Sequence, residues 1–257
     1  MDFQLTDKVA IITGASRGIG RAIAERLAAE GMKLVLAARS QEQLETLAGS
    51  LQTECLIQVL DLRAVEAPTQ LVEAAISHFG RLDLLVNNAG ATKRGDFLSL
   101  SDDEWADGYA LKFFGAMRCC RAAWPCLLKN QGSIVNIAGI GGRTGSAEFT
   151  IGGSVNAALL NLTKCLADRG VKDGIRVNAI NPGSIATQRL QTRIDSYASE
   201  HNLDAATAAQ TMAKSMGIAR FGEPKEIANV VAFLASPQSG YIHGAILDVD
   251  GGQIRTL

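Results

Sequence analysis

Lys8–Gly20 reads KVAIITGASRGIG. Lys8–Thr13 is a short apolar run, and the chain then meets Gly14, Gly18 and Gly20 in quick succession. An apolar run of that length, ended by a glycine-rich turn, predicts a buried strand. From Gly18 to Glu30 the apolar residues Ile19, Ala22, Ile23, Leu27 and Ala28 recur at helical spacing, and Gly31 stops the run. The glycine turn therefore sits at a helix N-terminus. Glycines let the chain turn tightly and let its backbone approach a pyrophosphate. The free N–H groups of the first helical turn, at the positive end of the helix dipole, favour that anion. The stretch predicts a dinucleotide site, with Gly14, Ser16, Arg17, Gly18, Ile19 and Gly20 around the phosphates.

The same alternation continues outward. Strands are expected at Lys33–Ala38, Leu56–Asp61, Leu82–Asn87, Ser133–Ala138, Arg176–Asn181 and Ile246–Val249. Helices are expected at Gln41–Leu51, Pro68–Phe79, Asp102–Leu128, about 152–169 and Pro224–Leu234. Ser101 and Glu104 form a capping-box pair for the long helix, and Pro224 suits a first helical turn. Residues 188–216 are polar and alanine-rich, as a helical flap would be. Parallel strands need crossover helices. The pattern predicts an α/β, Rossmann-type, doubly wound seven-stranded parallel sheet with helices on both faces. One domain spanning residues 1–257 is expected, since no repeat, low-complexity tract or linker interrupts it.

Composition agrees. Hydrophobic residues make up 47% and aromatics only 5%, which suits an aliphatic core under a parallel sheet. The net charge is −1 and no basic run exceeds two residues, so neither nucleic acid nor a membrane is expected as partner. No apolar stretch approaches the roughly 20 residues needed to span a bilayer. Met1–Gln4 carries no export signal, so a cytoplasmic protein with reduced thiols is expected. The five cysteines include no CxxC pair, and His78, His201 and His243 stand apart, so no metal site is expected.

A dinucleotide fold usually places an acid about 20 residues beyond the glycines to hold a ribose 2′-hydroxyl. Here the second strand ends Ala37-Ala38-Arg39-Ser40, with no acid. Arg39 and Arg17 instead suit the extra 2′-phosphate of NADP, by guanidinium pairing. NADP is therefore expected in preference to NAD. The competing reading of Arg39 is a solvated strand end.

Four motifs in order carry a resemblance. TGxxxGIG begins at Thr13, Asn87-Asn88-Ala89-Gly90 follows the fourth strand, Asn181-Pro182-Gly183-Ser184-Ile185-Ala186-Thr187 follows the sixth, and Asp250-Gly251-Gly252 lies near the end. Over nearly its whole length the chain resembles the short-chain dehydrogenase/reductase family. The resemblance implies that Asp61 and Leu62 flank the adenine, and that Asn88, Ala89 and Gly90 contact the ribose and stabilise the central strand. It implies that Pro182, Gly183, Ile185 and Thr187 hold the nicotinamide. It also implies a small-molecule substrate and a homo-oligomer, most often a tetramer, built on the long helix. Phe113, Phe114, Ala116, Met117 and Cys120 offer that helix apolar surface for the purpose.

The family's chemistry uses an Asn-Ser-Tyr-Lys tetrad, and here the likeness stops. Aligned without a gap, the tyrosine position is Gly152 and the lysine position Asn156. Thirteen residues before Gly152 the serine position is Gly139, and seven residues after Trp105 the asparagine position is Lys112. The chain's three tyrosines, Tyr109, Tyr197 and Tyr241, are followed four residues on by Phe113, His201 and Ala245, so no Tyr-x-x-x-Lys exists anywhere. Lys112 is the candidate catalytic residue, as proton donor or as a filler of vacated space. Glu148 is a base, the partner of Arg143 or simply a surface residue. Asn156 remains able to hydrogen-bond the ribose, and two glycines predict a widened pocket. Three functions stay open: an NADP-dependent oxidoreductase with non-standard acid/base residues, a nucleotide-binding pseudoenzyme serving as partner or sensor, and non-redox chemistry in the same pocket.

Overall fold

The computed structural model describes residues 2–255. Met1, Thr256 and Leu257, the ends of the expected domain, lie outside the described residues. Seven parallel strands form one sheet in the order β3-β2-β1-β4-β5-β6-β7. They are β1 (Val9–Thr13), β2 (Lys33–Ala38), β3 (Cys55–Val59), β4 (Leu84–Asn87), β5 (Ser133–Ile137), β6 (Arg176–Pro182) and β7 (Ile246–Val249). The Rossmann-type doubly wound fold read from the sequence is the fold observed.

Alternation along β1 explains the two layers. Ala10 and Ile12 pack into one core with Ile23 and Leu27 of α1 (Gly18–Ala29), Leu44 and Leu47 of α2 (Gln41–Ser50), and Ile227 and Val231 of α9 (Pro224–Ala235). Val9 and Ile11 pack into the other, with Leu71 and Ala75 of α3 (Ala67–Phe79), Cys119 and Leu127 of α5 (Ala116–Asn130), and Ala167 of α6 (Thr150–Asp173). Strands covered on both faces are continuous apolar runs, as β1 is.

The differences from the expected boundaries have local causes. The long helix is not uniform. It is α4 (Asp102–Tyr109), with the Ser101–Glu104 capping box in place, then a π-wound turn at Ala110–Gly115, then α5. A π turn inserts an extra residue and turns side chains away from the regular helical face, and Lys112 lies inside it. The flap is two helices, α7 (Gln188–His201) and α8 (Ala205–Ser215). Ala116 and Cys120, expected at a subunit interface, are buried in this chain's own cores, whereas Phe114 stays 40% exposed. His243 is structural, bridging Ala167 O at 2.7 Å and Val177 N at 3.2 Å.

Strand order reverses between β1 and β4: β2 flanks β1 on one side and β4 flanks it on the other. In open α/β sheets the crevice at that switch point, beyond the carboxyl ends of the strands, is where ligands bind.

Candidate functional site

The glycine turn between β1 and α1 forms one wall of the crevice. Gly14 and Gly18 have φ of +65° and +57°, conformations that side chains resist. A Cβ on Gly20 would fall 2.2 Å from Gly14 O, so the helix starts in contact with the turn. Arg17 precedes α1 with no side-chain cap, and the first turn holds no acid, which leaves its N–H groups and dipole for an outside anion. Ser16 and Ile19 are half-buried beside it, and Arg17 is exposed.

Asn88, at the end of β4, holds this turn open. Its Nδ2 donates to Thr13 O and to Gly14 O, each at 3.0 Å, and its backbone N donates to Thr13 Oγ1 at 2.9 Å. Ala89 N donates to the same hydroxyl at 3.0 Å. Behind it Asn87 Nδ2 donates to Asn136 Oδ1 at 2.9 Å, and Asn136 Nδ2 to Thr163 Oγ1 at 2.9 Å, a buried chain linking β4, β5 and α6.

On the far side, Gly183 N donates to Val249 O at 3.1 Å. A Cβ on Gly183 would sit 2.7 Å from the Asp250 Cα, so the Pro182–Thr187 loop and the Asp250-Gly251-Gly252 turn lie backbone to backbone. Thr187 lies over Gly18, within 3.3 Å of a Cβ placed there. The β6 loop, with Ile185 buried beneath it, thus faces the glycine turn across the crevice.

Arg39 ends β2 with a 70% exposed side chain. It is not free of acids, as its sequence neighbours suggested, because Asp61 comes within 3.8 Å of it. Asp61 is shared: Arg63 Nη1 donates to it at 3.2 Å, and Arg63 also pairs with Asp107. Leu62 is 5% exposed beside them.

The opposite end of the crevice holds Lys112, Gly139, Gly152 and Asn156. Lys112 is half-buried, its stem packed over Gly90, and its Nζ donates to Ala138 O at 2.6 Å. Burial pushes its pKa down to about 7, and the Arg189 charge adds to the effect. Gly139 has φ +147°, and its N donates to Asn181 Oδ1 at 3.2 Å. Asn156 is 3% exposed, and its Oδ1 has no hydrogen-bond partner.

Two expectations fail here. The pocket is not widened at Gly152: the Phe149 ring fills the space, with its Cζ 2.1 Å from where a Gly152 Cβ would stand. Glu148 is not the partner of Arg143. Arg143 Nη1 donates to Asp248 Oδ2 at 3.0 Å, and Asp248 also accepts from Asn181 Nδ2 at 2.9 Å, which ties the β5 loop to β6 and β7. Sequence reasoning also missed Phe149 and Arg189. Phe149 carries the Arg94 guanidinium 4.2 Å above its ring. Arg189, on α7, donates from Nη2 to Gly90 O at 3.2 Å. Its place just beyond the Pro182–Thr187 motif was the available signal.

The residues fit a bound dinucleotide on three structural grounds. These are the backbone cradle at Gly14–Gly20, the uncapped N-terminus of α1, and the unpartnered acceptor of Asn156 further along the crevice.

A parallel doubly wound sheet with this crevice defines a Rossmann-type nucleotide-binding protein. The family model described as enoyl-(acyl carrier protein) reductase matches residues 14–253. The short-chain reductase protein NovJ of Streptomyces niveus is 35% identical over 256 residues, 96% of this chain and 94% of that one. The 3-oxoacyl-(acyl-carrier-protein) reductase FabG of Vibrio cholerae is 34% identical over 249 residues, 96% of this chain and 98% of that one. Among solved structures, L-sorbose reductase from Gluconobacter frateurii, complexed with NADPH and L-sorbose, superposes with a TM-score of 0.95 at 35% identity, covering 100% of both chains. The chain belongs to the short-chain dehydrogenase/reductase family, and its fold is that of the family's oxidoreductases.

Proposed function

We propose that the chain is an NADP-dependent oxidoreductase in which Lys112 takes the acid/base role that the family gives to tyrosine. The observation that carries this reading is Lys112 itself. Its Nζ lies 2.6 Å from Ala138 O, beside Gly139 at the head of the crevice, with a pKa near 7. A proton donor works best when its pKa lies near the working pH, and such a group is worth about 10²–10⁴ in rate.

The dinucleotide, when bound, supplies the two-electron exchange. The chain supplies the rest. The α1 N-terminus and the glycine turn hold the pyrophosphate, and Arg17 and Arg39 hold a 2′-phosphate, which favours NADP over NAD. Asn156 Oδ1 accepts from a ribose hydroxyl. The Pro182, Gly183, Ile185 and Thr187 backbone holds the nicotinamide end. Lys112 donates a proton to a small-molecule carbonyl as it becomes a hydroxyl, and Ala138 O orients the ammonium. Orientation of donor and acceptor alone can be worth about 7–11 kcal/mol.

A second reading has its own support. The Phe149 ring fills the space beside Gly152, the position that the resemblance gives to tyrosine, and Gly139 carries no hydroxyl, as in a nucleotide-binding pseudoenzyme that serves as a partner or sensor. Titration of NADPH by fluorescence, then a carbonyl screen with wild type and Lys112→Met, separates the two. Turnover abolished by Lys112→Met supports the first. NADPH binding with no turnover on any substrate supports the second. Ketone reduction indifferent to Lys112→Met refutes both.

The proposal extends to a single cytoplasmic domain that assembles as a homotetramer. Exposed Phe114 and Leu128 on the long helix and Val171 on α6 give that interface its apolar surface. Light scattering that returns a monomer at micromolar concentration removes the tetramer.

A further inference from the structure

Three arginines with exposed side chains influence one another electrostatically at one end of the crevice, from two directions. Arg189 and Arg193 are four residues apart on α7 and so share a face. Arg94 comes from the loop after β4. That loop is pinned to the stretch before α6, where Gly95 N donates to Glu148 O at 3.2 Å. Arg94 is held 4.2 Å over the Phe149 ring, and the ring covers Gly152. Arg189 is held on Gly90 O, the residue over which the Lys112 stem packs. Phe149 and Gly90 thus position two of the guanidinium groups, Arg94 beside Gly152 and Arg189 beside Lys112.

No carboxylate neutralises them. Among the described residues, none of the three arginines has an acidic oxygen within 4.0 Å. Glu148 is the one acid that Arg94 senses, against the charges of Arg193 and Arg189, while burial and those charges together lower its pKa. Like charges held together without counter-ions raise the local concentration of anions and repel one another until an anion arrives. Cofactor phosphates account for part of this field, since Arg189 also senses Arg17 at the glycine turn. They do not account for Arg94, which stands over Phe149, with Arg193 as its largest charged influence.

We infer that Arg94 and Arg193, with Arg189 between them and the cofactor, form a receptor for an oxyanion carried by the substrate, a carboxylate or a phosphate next to the reacting carbonyl. Guanidinium groups recognise both by paired N–H···O bonds. This inference rests on the reading of the crevice as an NADP-dependent carbonyl site, and it names that site's substrate class.

The test is calorimetric, so it does not depend on turnover. Wild type is first titrated with NADPH. Failure at this step defeats the cofactor reading and is seen before any substrate is added. The NADPH-saturated protein is then titrated with two matched pairs: benzoylformate and its methyl ester, and dihydroxyacetone phosphate and dihydroxyacetone. The expected result is that the charged member of at least one pair binds about tenfold more tightly than its neutral partner, and the winning pair says which oxyanion is read. In Arg94→Gln/Arg193→Gln that preference is expected to disappear, with the NADPH affinity within about twofold of wild type. No charge preference in either pair overturns the inference, as does a preference that survives in the double variant. A loss of NADPH affinity in the double variant, parallel to the loss of the anion, also overturns it and assigns the arginines to the cofactor phosphates.

Discussion

At the glycine-turn wall of the crevice, glycines let backbone approach backbone, with the Asn88 amide packed between them. Gly14, Gly18 and Gly20 leave a cradle, and Asn88 spends its amide on Thr13 O and Gly14 O to hold it in shape. At the opposite wall, side chains crowd in. Phe149 lies on Gly152, Asn156 is buried against Gly139, and Lys112 crosses Gly90. Both walls are rich in glycine, yet the glycines do different work. In the first they let the turn, the start of α1 and the Asn88 amide pack in direct contact. In the second the room is taken by other side chains of the same protein. A glycine in a site is therefore no measure of free volume until the neighbours are known.

The comparison breaks most severely at Gly20. A Cβ there would lie 2.2 Å from Gly14 O and 2.5 Å from Asn88 Nδ2, both fixed by the turn itself. Gly20→Ala is expected to cost about 2–3 kcal/mol, as overpacking does, and to abolish NADPH binding. Chemical denaturation and a fluorescence titration measure the two effects. A variant that is as stable as wild type and binds NADPH normally would show that the cradle is looser than its contacts indicate.

Lys112→Met comes next and attacks the other wall. Activity is expected to fall by about 10²–10⁴, with NADPH affinity little changed. Wild-type reduction should decline above the ammonium's pKa. That pKa is about 7 in the free protein, and the anionic cofactor should raise it in the complex. Stability provides an independent check with a defined sign. The folded pKa lies below the ordinary 10.5, so between about 7 and 10.5 the unfolded chain binds more protons and wild-type stability rises with pH. Below pH 7 the desolvation cost is fully present. Lys112→Met should therefore stabilise the protein most at pH 6 and progressively less towards pH 10. Parallel stability curves for the two proteins would contradict the buried charge.

A smaller effect sharpens the contrast between the walls. If Phe149 merely fills space, putting tyrosine back at Gly152 cannot succeed alone, because the ring stands 2.1 Å from the new Cβ. Gly139→Ser adds a side chain at φ +147°, at a cost of about 1–3 kcal/mol. Gly152→Tyr is expected to lose stability, and Phe149→Ala/Gly152→Tyr to recover part of it. Thermal unfolding of the single and double variants measures the coupling. Additive losses would mean that Phe149 does not occupy the tyrosine's place.

The two walls also differ in how far the sequence reveals them. The strand, the glycine turn and α1 are consecutive in the chain, so residue spacing carried their geometry. The same holds for the Ser101–Glu104 box and for Pro224. The opposite wall is assembled from segments far apart in sequence. Phe149 matters because of where Gly152 and Arg94 come to rest, and Arg189 because α7 folds back to Gly90. No local pattern encodes either contact. The π turn at Ala110–Gly115 was hidden for a related reason, since its residues are as compatible with a regular helix. Asp61 next to Arg39 is a third case: the two are neighbours only because β2 pairs with β3.

That last pair sets the smallest expected effect. Arg39 is 70% exposed and partly engaged by Asp61 at 3.8 Å, so its contribution to a bound 2′-phosphate is screened by water and shared with an acid. Arg39→Ala should weaken NADPH by roughly fivefold and leave NADH almost untouched, the size of an exposed ion pair rather than a buried one. Asp61→Asn separates competition from support. If Asp61 chiefly competes for Arg39, its neutralisation frees the guanidinium, and NADPH binds slightly more tightly at low salt. If Asp61 chiefly positions Arg39, holding the side chain near the ribose, the same change weakens NADPH. The first outcome is expected, because 3.8 Å is a loose contact and Asp61 is held more closely by Arg63, at 3.2 Å. Raising the salt should erase the gain, since exposed charges are screened over about 10 Å at 0.1 M. An Arg39→Ala variant with unchanged preference between NADPH and NADH would leave Arg17 alone to read the phosphate, and would place the selectivity in the glycine turn rather than at the end of β2.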